Sequence, residues 1–124
     1  MSPREIERWY VHLVALHSFA VGVVLSFFPK WAATFGGWGE ADPVFFICQG
    51  GAFHLVVAAG YVMEYCKHQT LHLMIFAKCV GTVFLTAAWL FDPDYAWAVP
   101  LSALGDAVMA VLAILISRRA GRIG

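Results

Sequence analysis

Long apolar runs separated by short polar segments dominate the chain. Four runs stand out, at residues 9–28, 44–66, 70–91 and 97–117. Each has about 20 residues, the length that an α-helix needs to cross a hydrocarbon core about 30 Å thick. Backbone polar groups in lipid must pair within their own segment, which favours helices over strands. The pattern predicts an all-α integral membrane four-helix bundle, with residues 1–124 forming a single transmembrane domain.

Composition supports lipid as the solvent of this chain. Of its 124 residues, 61% are hydrophobic and 13% are charged, whereas a soluble domain is typically about 45–50% apolar. A soluble protein of this size would have to expose much of that apolar surface to water. The lipid bilayer is therefore the predicted partner. The net charge of zero provides no basic patch for nucleic acid.

The first apolar run has an alternative interpretation as a cleaved secretory signal. However, it is longer than an ordinary signal core, and the residues before it include Glu5 and Glu7 beside Arg4 and Arg8. We therefore expect an uncleaved first span.

Positive residues outside the runs predict the orientation. They concentrate at one end of the predicted bundle, at Arg4, Arg8, Lys67, Arg118, Arg119 and Arg122. The opposite end has only Lys30, in the segment 29–43 that we expect to lie on the outer membrane surface. The positive-inside rule then places both termini in the cytoplasm.

Each run contains an ionisable residue well inside it: His17, His54, Lys78 and Asp106, in chain order. Measured from the cytoplasmic end of each run, Lys78 and His17 lie about 12 Å deep, and His54 and Asp106 about 16–18 Å deep. The four residues thus fall within about one helical turn of the same depth. They are the candidate ligand-binding residues.

A pairing between Lys78 and Asp106 is the main structural prediction from this layer. A charged residue at the centre of a membrane helix costs roughly 2.5–3.5 kcal/mol, and pairing offsets part of that cost. Gly81 lies one turn from Lys78 and allows close approach of the helices. A purely structural role, in which the pair fixes helix register, is the alternative to a ligand site.

The histidines suggest a second ligand class. His17 and His54 could hold a b-type haem as its axial ligands. Against this, a bundle of four short helices that also buries Lys78 and Asp106 has little volume for a porphyrin.

A separate cluster lies near the turn between the second and third runs. The stretch "EYCKHQTLH" contains the candidate metal ligands Glu64, Cys66, His68 and His72. It includes a turn and lacks a CxxC pair, so we predict no metal site there. The chain also lacks GxSxG, Walker and HExxH motifs, and we expect no independent catalytic activity.

The chain resembles the DoxX-like small bacterial four-span membrane proteins. The resemblance rests on the glycines and "GY" of the second run (Gly50, Gly51, Gly60 and Tyr61), on Lys78, and on "GD" at Gly105 and Asp106. Gln49 stands near the position where such proteins would have an arginine. One relative is the membrane subunit of a thiosulfate:quinone oxidoreductase. The resemblance implies a four-helix fold, the bacterial cytoplasmic (inner) membrane and a quinone as ligand.

Three functions are compatible with these residues. The first is an accessory or ligand-binding subunit whose polar layer receives a quinone-like headgroup. The second is a proton-coupled small-solute transporter that acts as a homo-oligomer. The third is a purely structural subunit of a larger membrane complex. The first is our prediction, because no residue set forms a catalytic constellation.

Overall fold

A computed structural model describes residues 1–92 and 96–122. Over these residues the chain forms five helices: α1 (Pro3–Phe27), α2 (Pro29–Gly36), α3 (Phe45–His68), α4 (His72–Phe91) and α5 (Ala98–Arg119). All except α2 are long and apolar enough to cross a membrane. The predicted all-α four-helix bundle is confirmed, and the chain is a small multi-pass membrane protein.

The four long helices follow the predicted spans closely, with one difference at the N-terminus. Helix α1 begins at Pro3 rather than near residue 9. Ser2 accepts a hydrogen bond from the Glu5 amide, and the Glu5 side chain accepts one from the Ser2 amide. This capping box satisfies two backbone donors and starts the helix before its apolar run begins.

The first half of the segment 29–43 forms α2. Trp31 stacks on Phe35 with ring centroids 5.1 Å apart. The indole N–H of Trp97, just before α5, donates a 2.9 Å hydrogen bond to the Phe35 carbonyl. Aromatic side chains with a polar edge suit the interface between lipid and water, so α2 and Trp97 lie at the end of the bundle opposite the termini.

Helices α1 and α3 pack so closely that their backbones are nearly in contact. A Cβ atom built on Gly22 would lie 2.9 Å from the Gly51 carbonyl, and one built on Gly51 would lie 2.8 Å from the Ser26 amide nitrogen. Only glycine fits at such a contact. Helices α4 and α5 form the other extensive pair.

Helices α3 and α4 contact each other much less. The Glu64 carboxylate holds the turn that joins them: Oε1 accepts hydrogen bonds from the Thr70 hydroxyl and the His72 amide, and Oε2 accepts one from the Leu73 amide. A carboxylate here satisfies free N–H groups at the start of α4 and complements the helix dipole. The two helices are joined firmly at this end, whereas farther along a gap opens between them.

The buried core lies near the end of the bundle that carries both termini. It is formed by Val11, Val14, Ala15, Tyr61, Tyr65, Leu71, Met74 and Ala113. Elsewhere large apolar side chains are exposed on every long helix, for example Phe19, Phe53, Phe84 and Leu104. An apolar surface of this extent suits lipid and not water.

Candidate functional site

Lys78 of α4 and Asp106 of α5 form an ion pair inside the bundle. The Lys78 ammonium donates a 2.7 Å hydrogen bond to Asp106 Oδ1. The predicted pairing is confirmed. Only 4% of the Lys78 side chain is exposed, against 19% of the Asp106 side chain, so the carboxylate is the more accessible partner.

Gly81 makes room for the Asp106 carboxylate. It lies one turn beyond Lys78 on α4, and a Cβ atom built on it would come 2.5 Å from Asp106 Oδ2. No other residue type leaves that space free. The glycine therefore forms a notch in α4, and Asp106 Oδ2 packs into this notch.

The ion pair lies on the wall of a cleft of about 270 Å³. The cleft is open at its side and lies in the gap between α3 and α4, with Asp106 reaching it from α5. Its other lining residues are mostly apolar: Phe53, His54, Val57, Tyr61, Ala77, Gly81, Phe84 and Leu85. Most small-molecule sites are apolar with a few convergent polar groups, and this cleft has that character.

His54 adds an unsatisfied polar atom to the cleft. Its Nδ1 atom is buried and has no hydrogen-bond partner among the described residues. Buried polar groups are almost always hydrogen-bonded in native proteins. An unpaired ring nitrogen in a cleft that also contains Lys78 and Asp106 is therefore a candidate ligand contact.

Three of the four residues of the predicted polar layer lie together in the structure. His54, Lys78 and Asp106 line one cleft, as their similar predicted depths require. His17 of α1 is exposed on the bundle surface and is not among the lining residues. His17 and His54 thus do not share the cleft, and its volume suits a single-ring headgroup rather than a porphyrin.

Of the four candidate metal ligands near the α3–α4 turn, one caps α4 and the other three are exposed on the surface. Both Glu64 oxygens are occupied by the cap of α4, while Cys66, His68 and His72 are exposed. Within residues 1–92 and 96–122, no three His, Cys, Asp or Glu side chains are grouped so that they could hold a metal ion.

A second buried charge was missed by the sequence reasoning. The Glu7 side chain has no exposed surface, and Arg122 Nε lies 3.5 Å from its Oε2 atom. The spacing of Glu7, Val11, Val14 and Ser18 follows one helix face, and all four are buried. That periodicity is the signal that could have identified Glu7 as buried.

Comparison with known proteins gives no further identification. No family model, curated protein or solved structure matches this chain. The resemblance to DoxX-like proteins accordingly stays a prediction.

Proposed function

We propose that this chain is an accessory subunit of the bacterial cytoplasmic membrane that binds the headgroup of a quinone-like lipid in the cleft between α3 and α4. The observation that carries the proposal is the Lys78–Asp106 ion pair on the wall of an otherwise apolar, laterally open cleft. An ion pair that serves only to fix helix register needs no adjoining space.

The shape of the cleft supports a lipid-soluble ligand. Phe53 and Phe84 line it and are themselves largely exposed, so the cleft continues into the lipid-facing surface. A ligand that is dissolved in the bilayer can enter sideways and leave its apolar tail among the acyl chains. The volume of about 270 Å³ suits one substituted ring and not a large cofactor.

The polar groups of the cleft support a ring that bears oxygen atoms. Lys78 has three N–H donors, of which Asp106 Oδ1 takes one. His54 Nδ1 donates or accepts according to its tautomer. Lys78 and His54 can donate to the carbonyl oxygens of a quinone, and Asp106 Oδ2 can accept a hydrogen bond from a hydroxyl of its reduced form. The resemblance to DoxX-like proteins, among which is the membrane subunit of a thiosulfate:quinone oxidoreductase, agrees with this ligand class and with a role beside a catalytic partner.

Binding of a decyl-tailed benzoquinone to the protein in phosphatidylglycerol-containing nanodiscs tests the proposal. We expect saturable binding that empty nanodiscs do not show. The Gly81→Leu variant fills the notch beside Asp106 and should abolish this binding. Gly105→Leu is the matched control, because a Cβ atom on Gly105 meets nothing within 4 Å. Binding no greater than in empty nanodiscs, or equal binding by both variants, contradicts the proposal.

A further inference from the structure

We infer that the cleft selects a ligand bearing a hydroxyl group, and so holds the reduced, hydroquinone form of its ligand in preference to the quinone. This inference rests on the proposed function and specifies the oxidation state that the site recognises. The one relationship that carries it is the position of Asp106 Oδ2 at the Gly81 notch.

The two oxygens of the Asp106 carboxylate have different partners. Oδ1 receives the hydrogen bond from Lys78. Oδ2 packs against Gly81, where a Cβ atom would come 2.5 Å from it, and within the described residues no hydrogen bond to it is formed. Asp106 lines the cleft and 19% of its side chain is exposed, so its carboxylate has one oxygen free to accept a hydrogen bond there.

An ionised carboxylate oxygen accepts hydrogen bonds and cannot donate them. A quinone carbonyl is also only an acceptor, so its oxygen beside Oδ2 would place two groups of lone pairs together. A phenolic hydroxyl donates to Oδ2 and still accepts from another group. Hydrogen bonds to charged groups are stronger than those between neutral groups, and pairing an acceptor with an acceptor forfeits such a bond.

The accessibility of the pair points in the same direction. Lys78, the donor that would favour a carbonyl, is almost entirely buried, whereas Asp106 retains more exposed surface. A ligand that enters from the lipid therefore meets the acceptor more readily than the donor. His54 does not change this preference, because its ring nitrogen pairs with either form through a change of tautomer.

Competition between matched ligands tests the inference. Decyl-hydroquinone and decyl-benzoquinone are compared under anaerobic conditions, and para-decylphenol is compared with para-decylanisole as a pair that carries no redox chemistry. We expect each hydroxyl compound to bind at least about tenfold more tightly than its partner, which corresponds to about 1.4 kcal/mol. Equal or tighter binding of the quinone and the anisole overturns the inference while leaving the proposed function intact.

Two variants connect the preference to Asp106. Asp106→Asn replaces an oxygen with a donor and should remove most of the preference, provided that it folds. Gly81→Ala keeps the charge of Asp106 but places a methyl group against Oδ2. It should weaken the binding of the hydroquinone and the phenol more than the binding of the quinone and the anisole. Gly105→Ala should bind like the wild type. A full hydroxyl preference in both Gly81→Ala and a folded Asp106→Asn overturns the inference. Failure of every ligand to bind the wild type contradicts the proposed function as well.

Discussion

Arg122 lies beside a carboxylate that is completely removed from solvent, with its Nε atom 3.5 Å from Oε2 of Glu7. The turn that brings it there ends α5. Gly121 adopts a φ of 73°, the Arg122 amide donates to the Ser117 carbonyl, and the Gly121 amide donates to the Arg118 carbonyl. These are the two bonds of a Schellman motif. The C-terminal segment thereby supplies a counter-ion for the buried charge of α1.

Loss of that counter-ion should destabilise the protein. Arg122→Gln removes the guanidinium that lies beside the buried Glu7 carboxylate, and we expect a loss of about 1–3 kcal/mol in the free energy of unfolding. Adding Glu7→Gln should recover part of the loss, because it removes the unpaired charge. Thermal unfolding in detergent measures both effects, and Arg118→Gln, at an exposed position, is the control. Equal stability of the Arg122 and Arg118 variants would mean that Glu7 does not depend on Arg122.

The glycine contact between α1 and α3 gives a second prediction. Gly51→Ala places a methyl group 2.8 Å from the Ser26 backbone, so the helices must separate. We expect a destabilisation of about 1–3 kcal/mol. Gly50→Ala, where the new Cβ atom meets nothing within 4 Å, should be neutral or slightly stabilising. Similar melting temperatures for the two variants would contradict the close packing of α1 on α3.

The Glu64 cap gives a third prediction. Glu64→Ala removes three hydrogen bonds at the start of α4 and a negative charge that complements its dipole. We expect a loss of about 1–2 kcal/mol, with faster amide hydrogen exchange at His72 and Leu73. Glu40→Ala, at an exposed position on the opposite end of the bundle, is the control. Unchanged exchange at these two amides would show that the carboxylate does not hold the turn.

The ion pair itself gives a fourth prediction. Lys78→Asp or Asp106→Lys alone places two like charges together inside the bundle, and we expect each to destabilise by about 3–5 kcal/mol. The double variant with both substitutions restores opposite charges and should be more stable than either single variant. If the double variant is no more stable than the single variants, Lys78 and Asp106 do not stabilise the bundle by attracting each other.

The spans and the ion pair could be predicted from the sequence because both follow from strong, local energies. The cost of exposing apolar runs to water determines the helices, and the cost of a lone charge in lipid makes Lys78 and Asp106 partners. Helix counting then gives the depth of His54 to within about a turn.

The direction in which each side chain faces could not be predicted in the same way. His17 has a suitable depth but is exposed and does not line the cleft, and helix counting gives the depth of a residue without its position around the helix axis. Glu7 was treated as a flanking charge since it precedes the apolar run, and its neighbour Arg122 lies more than a hundred residues away in the sequence. The cleft also depends on the weak contact between α3 and α4, which no local pattern specifies.

Whether the ion pair serves a ligand or only the fold is decided most directly by removing both charges together. The double variant Lys78→Met with Asp106→Leu replaces the pair by apolar side chains, an exchange that is often neutral or stabilising for a buried ion pair. Saturable binding of the decyl-tailed benzoquinone and hydroquinone is measured on the folded double variant in nanodiscs. We predict a protein at least as stable as the wild type that has lost binding of both compounds. A folded double variant that binds them with wild-type affinity would contradict a ligand site built on Lys78 and Asp106.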